Sequence, residues 1–148
     1  MRFWATLICT LILDQISKLW LSSQMALGQS IALIPGILDL TYVRNRGAAF
    51  GILQGQTWFF LLMAVAITAG LIYFNLKYTP PPWVQFASGL ICAGSVGNMI
   101  DRSFYGGVRD FFSIGWWPVF NVADMAVVAG GSILILFLLR NDSWPQAR

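Results

Sequence analysis

Four stretches of the 148-residue chain, Phe3 to Ser22, Thr57 to Asn75, Trp83 to Ile100 and Ala123 to Arg140, are long and apolar enough to form transmembrane helices. About 20 predominantly apolar residues cross the hydrocarbon core of a bilayer. Backbone inside lipid must satisfy its own hydrogen bonds, and a helix does so within one segment. Composition agrees, with 57% of residues hydrophobic and only 10% charged, against roughly 25% charged in soluble domains. A net charge of +3, spread thinly along the chain, gives no basic surface for nucleic acid. The pattern predicts one all-α integral membrane domain over 1–148, with four transmembrane helices and a small extramembrane β platform.

Trp20, Trp58, Tyr73, Tyr78 and Trp83 fall near the proposed helix ends, where amphipathic rings favour the headgroup region. Asp14 and Lys18 interrupt the first span and no small-x-small cleavage site follows, so an uncleaved anchor is expected. Ile8 immediately before Cys9 argues against a lipid-attachment site. The link Leu76 to Pro82 is short and stiff, whereas Ser23 to Gln56 and Asp101 to Val122 are long enough to be structured. Both long connections lie on one face, where loops held by a rigid scaffold carry function. Leu38, Leu40 and Tyr42 alternate with Asp39 and Thr41 after the Pro35-Gly36 turn, which predicts a strand in an antiparallel platform. The small residues of Asn45 to Gly51 (NRGAAFG) then permit close approach of another backbone. Arg2, Lys77, Arg140 and Arg148 on one side balance Arg44, Arg46, Arg102 and Arg109 on the other. The positive-inside rule therefore leaves orientation open, and the termini are placed provisionally in the cytoplasm.

The side-chain inventory narrows the chemistry. There is no His, and all six acids are Asp, at positions 14, 39, 101, 110, 124 and 142. Cys9 and Cys92 stand alone in apolar runs, which supports packing rather than zinc binding or dithiol exchange. Charged residues inside a span need a partner or a task, since each costs about 2.5 to 3.5 kcal/mol at a helix centre. Asp14 and Lys18 stand i, i+4 with the acid first, the favourable order for an intrahelical pair, and Asp14 is also positioned to brace a site.

At the end of the third span, Asn98, Asp101 and Arg102 share one helical face beside the small residues Gly94, Ser95 and Gly97. One reading is a polar cap over a close helix interface. The other has Asn98 and Arg102 donating to peptide carbonyls while Asp101 holds the guanidinium in place. Asp124 opens the fourth helix behind Asn121, so an N-cap with an acid in the first turn accounts for both. Asp110, flanked by Val108, Phe111 and Phe112, is expected at an apolar boundary that raises a carboxyl pKa. If Asp110 and Asp124 meet, they share a proton, one acting as base and the other as acid, and such a pair activates water without Ser, Cys, His or metal.

NRGAAFG at 45–51, GNMIDR at 97–102, VRDF at 108–111 and FNVAD at 120–124 together resemble lipoprotein signal peptidase, or signal peptidase II, a bacterial inner-membrane aspartyl protease. The likeness runs from Asp14 to Asp124 with the motifs in order. It implies that Asp110 and Asp124 are the catalytic dyad and that Asn45, Asn98, Arg102 and Asn121 line or order the substrate cleft. Asp14, Lys18, Gly47 and Asp101 correspond to supporting positions. The implied substrate is a prolipoprotein whose lipobox Cys already carries diacylglycerol, cut immediately before that Cys. Both termini would be cytoplasmic, with the active site toward the periplasmic side among membrane lipids. No metal or organic cofactor is implied, and a monomer is expected. The competing class is a small four-helix ion-coupled transporter, in which Asp14 would carry protons.

Overall fold

The computed structural model describes residues 2–47 and 54–140. The chain runs α1 (Arg2–Gln24), β1 (Ser30–Ile34), β2 (Leu38–Asn45), α2 (Thr57–Lys77), α3 (Pro82–Tyr105), β3 (Val108–Ser113) and α4 (Val122–Arg140). The four helices form a bundle, and the strands form one antiparallel sheet of order β1-β2-β3.

By length and composition α1, α2 and α4 suit a membrane crossing, and α3 falls outside that set. The reason is position. α3 packs against all three other helices, so protein rather than lipid covers it. Apart from Val84, its buried residues are accordingly small or polar: Ala87, Ser88, Gly89, Cys92, Ala93, Gly94, Gly97 and Asp101. α2 is the opposite case, with Asn75 as its buried residue while Leu62, Met63 and Val65 face outward. Polar groups inside and apolar groups outside is the arrangement expected when lipid is the solvent.

Glycines at the helix crossings, Gly94 and Gly97 among them, set how closely the helices approach. A Cβ on Gly94 would collide with the carbonyl of Ala123 on α4, and one on Gly97 would collide with the Asp14 carboxylate of α1. Close packing at these two points brings α1 and the start of α4 against the C-terminal half of α3. α3 opens with Pro82 in its first turn, where the missing N–H costs nothing, and stops at Gly106 in the left-handed conformation (φ 66°). It therefore extends past Ile100. Asp101 and Arg102 lie on the helix, as their reading on one face with Asn98 expected, and the end of the span moves from Ile100 to Tyr105 because no breaker precedes Gly106.

The strand predicted around Leu38, Leu40 and Tyr42 is β2, joined to β1 through a turn with Gly36 at φ 76°. β3 was not expected as a strand. Its residues Val108 to Phe111 are all buried, so it lacks the polar alternation that marks a half-exposed strand. The sheet is fixed to the bundle by a cluster of Leu21 from α1 and Met25 just after it with Tyr42 and Phe111. The Tyr42 and Phe111 rings stack at 4.8 Å between centroids. This anchorage holds Asp110, the neighbour of Phe111, over the end of the bundle. Within the glycine-bearing motif at 45–51, residues 48–51 lie outside the described residues.

Candidate active site

Asp110 reaches the site from β3 and Asp124 from the first turn of α4, and both line one cleft of about 410 Å³ between the sheet and the bundle. The cleft walls include Phe60, Met63 and Ile67 of α2, Gly94 and Asn98 of α3, and Val127 of α4. Polar groups converge at one end of a mostly apolar trough. Among the described residues, no group of three His, Cys, Asp or Glu side chains is arranged to hold a metal ion.

Asn121 joins the two acids. Its Nδ2 donates to Asp110 Oδ1 at 2.6 Å, while its Oδ1 accepts from the Asp124 backbone N–H at 2.9 Å. Asp124 Oδ2 in turn accepts from the Asn121 backbone N–H at 3.2 Å. That reciprocal pair is a capping box with Asp in the third helical position. Sequence reasoning left a cap and a catalytic pair as alternatives for Asp124; the cap is formed, and Asp124 also lines the same cleft as Asp110.

Asn98 Nδ2 donates to Asp124 Oδ1 at 2.8 Å, and Asn98 Oδ1 accepts from Lys18 Nζ at 3.0 Å and from Asn121 Nδ2 at 3.1 Å. The Asn45 side chain hydrogen-bonds Asp110 and also accepts from the Gly47 N–H at 2.9 Å. Gly47 offers its carbonyl to Arg102 Nη2 at 3.2 Å. Arg102 lies over the Phe60 ring at 4.6 Å and lines the cleft.

Lys18 pairs with Asp14 at 2.9 Å, as the i, i+4 spacing predicts, and lies 3.5 Å from Asp101. Asp14 does more than neutralise Lys18. Its Oδ1 accepts from the Ala123 backbone N–H at 2.9 Å, so an acid from α1 caps the N-terminus of α4. A proton carrier for transport would need a carboxyl free to exchange; this one is committed to three donors, Gln15 being the third.

One expected pairing is overturned. Asp101 does not hold Arg102. Adjacent residues on a helix point about 100° apart and do not face each other. Asp101 instead binds Arg109 through its backbone N–H (2.8 Å), Nε (3.2 Å) and Nη2 (2.8 Å). Arg109, 1% exposed, also stacks its guanidinium 4.0 Å from the Tyr105 ring centroid. Sequence reasoning gave Arg109 no task and did not single out Gln15, which bridges Asp14, the Gly97 carbonyl and Arg109. A buried Arg on a strand next to a candidate acid was the available signal for the first. An amide one residue from an intramembrane Asp was the available signal for the second.

Asp110 is 1% exposed. Burial, and then the neighbouring Asp124 charge, push its pKa up to about 7, against the opposing hydrogen bonds from Asn45 and Asn121. The folded protein therefore keeps a proton that the unfolded chain has released at its ordinary 3.8. With more protons bound in the folded state, stability falls as pH rises from 3.8 to about 7, then levels off. Thermal unfolding followed across that window should show this slope, reduced in Asp110→Asn. An undiminished slope in the variant would assign it to other groups.

One buried and one half-buried carboxyl, joined through Asn121 in one cleft of a bundle with membrane-length helices, are the arrangement that a membrane-embedded peptidase of the aspartic type would use to activate water. The comparisons with known proteins make the class specific. Residues 6–140 match the model of the family described as Signal peptidase (SPase) II, and the chain belongs to that family. The lipoprotein signal peptidase of Syntrophomonas wolfei is 46% identical over 139 residues, 94% of this chain and 93% of that one. That of Halothermothrix orenii is 40% identical over 135 residues, 91% and 93% of the two chains. A crystallised bacterial membrane enzyme superposes with a TM-score of 0.86 at 32% identity, covering 97% of this chain and 94% of its own.

Proposed function

We propose that Asp110 and Asp124 are the catalytic pair with which this peptidase removes the signal peptide from a diacylglyceryl-modified prolipoprotein, cutting before the lipidated Cys. The observation that carries the assignment is the single cleft lined by both acids, with Asn121 bonded to each. One acid takes a proton from water as the water oxygen attacks the scissile carbonyl, and the other protonates the carbonyl oxygen. Charge supports a shared proton. Lys18, Arg102 and Arg109 face Asp14, Asp101, Asp110 and Asp124, so three cations meet four carboxyls, and one proton on the pair leaves the cluster neutral.

Arg102 and Asn45 line the cleft and are assigned to binding the extended peptide; Asn98 and Asn121 order the acids, and Gly47 fixes the Asn45 turn. The apolar trough toward Met63, Ile67 and Val127 suits an acylated or signal-peptide segment. The sheet, the end of α3 and the start of α4 lie together at the cleft, and on the family resemblance we assign this end to the periplasmic side of the bacterial inner membrane and both termini to the cytoplasm. The enzyme is taken to act as a monomer among membrane lipids.

The test is cleavage of a purified diacylglyceryl-modified prolipoprotein by the protein in detergent, with the unmodified precursor alongside. Only the lipidated form should yield free signal peptide, and a chelator should leave the rate unchanged. Equal cleavage of both precursors would refute the lipid requirement. Counterflow of a labelled cation in proteoliposomes, without peptide release, would instead favour a transporter.

A further inference from the structure

The two acids receive different donors. Each asparagine amide around them has one orientation that satisfies its neighbours. The Lys18 ammonium has only protons to give, so the Asn98 atom facing it is the oxygen, and Nδ2 must donate to Asp124 Oδ1. Asn121 Oδ1 accepts from the Asp124 backbone N–H, which turns its Nδ2 toward Asp110 Oδ1. Asp124 therefore accepts at both oxygens: from Asn98 at Oδ1 and from a backbone N–H at Oδ2. It also stands in the first turn of α4, where the helix dipole favours negative charge. Asp110 sits on a strand without that field, with amide donors from Asn121 and Asn45.

We propose, resting on the peptidase reading above, that Lys18 and Asn98 are positioning residues which hold Asp124 as the ionised base and leave the shared proton on Asp110. Lys18 acts through Asn98 by polarising and orienting its amide. The cycle then balances. Asp124 takes a proton from water as the new C–O bond forms, and the Asp110 proton passes to the carbonyl oxygen, giving a neutral tetrahedral diol. As the C–N bond breaks, Asp124 delivers its proton to the leaving nitrogen. One diol hydroxyl returns a proton to Asp110, restoring the starting state.

The charged groups facing the pair are Asp14 and Lys18 from α1, Asp101 and Arg102 from α3, and Arg109 from β3; β2 contributes the neutral Asn45. Lys18 acts on both acids, so Asn98 is the more selective position for a test.

The experiment is the pH dependence of kcat/KM for a diacylglyceryl-modified prolipoprotein peptide in detergent, in Asn98→Ala and Asn45→Ala. In the assignment above, the acidic limb reports Asp124 and the alkaline limb reports Asp110. Losing a donor to a carboxylate disfavours its charged form, so Asn98→Ala should move the acidic limb up by about one pH unit and leave the alkaline limb in place. Asn45→Ala should move the alkaline limb upward and leave the acidic one. The reverse pattern would make Asp110 the base and overturn the proposal, and so would an Asn98→Ala profile with neither limb displaced. If Asn98→Ala fails to fold, the limb moved by Asn45→Ala decides alone. Failure of the dyad itself would look different, as full activity in Asp110→Asn or Asp124→Asn.

Discussion

Asp110→Asn and Asp124→Asn each lower cleavage of the lipidated precursor by about 10³-fold or more while the protein remains folded and monodisperse, since general acid-base catalysis contributes about 10² to 10⁴ and each acid serves both halves of the reaction. The double variant should be little worse than either single one, because residues that act as a unit lose their function together. Asn in place of Asp keeps size and one hydrogen-bonding oxygen, so packing around Asn121 survives. The readout is signal-peptide release over time, with thermal unfolding of each variant as the control for folding. Near-wild-type release from either variant would remove that residue from the chemistry and with it the paired mechanism.

The second large effect falls on stability. Asp101→Leu strips Arg109 of its three hydrogen bonds to the carboxylate and leaves Lys18 without one of its two acids. Arg109, Lys18 and Asp101 are all essentially inaccessible. Removing one partner of a buried pair costs about 3–5 kcal/mol, because the other charge stays buried and uncompensated. Thermal unfolding in detergent should show a large fall in midpoint. Asp39→Asn, outside the network, should change stability by no more than about 0.5 kcal/mol. Equal midpoints for Asp101→Leu and the wild type would mean that Arg109 finds another partner and that the network is dispensable.

Both experiments bear on residues of unequal legibility. Asp14 with Lys18 was readable because i, i+4 spacing is a local property that any helix expresses. Asp110 and Asp124 were readable as candidates because an acid among aromatic and aliphatic neighbours is expensive without a purpose. Asp101 was misread toward Arg102. The acid's real partner, Arg109, lies eight residues away across the end of α3 and the turn at Gly106, a separation that no helical period encodes. Gln15 was invisible for a related reason: its three partners come from α1, α3 and β3.

The same division holds for the fold. Sequence by itself determined the four helices and their approximate ends, because transfer of apolar side chains into lipid is a sum over a contiguous segment. It also determined β2, whose alternation survives in a linear reading, and the residue types from which an acid pair would be made. Tertiary structure decided which helix becomes the interior one. It also decided that β3 pairs with β2, so that Asp110 is carried over the bundle. Finally, it decided that Asp14 caps α4 from another helix, and that Lys18, Asn98 and Asn121 converge on the acids. Those contacts join residues up to 109 positions apart. Their existence depends on close helix approach at Gly94 and Gly97 and on buried donors having no water to turn to, which are properties of the packed molecule rather than of any segment.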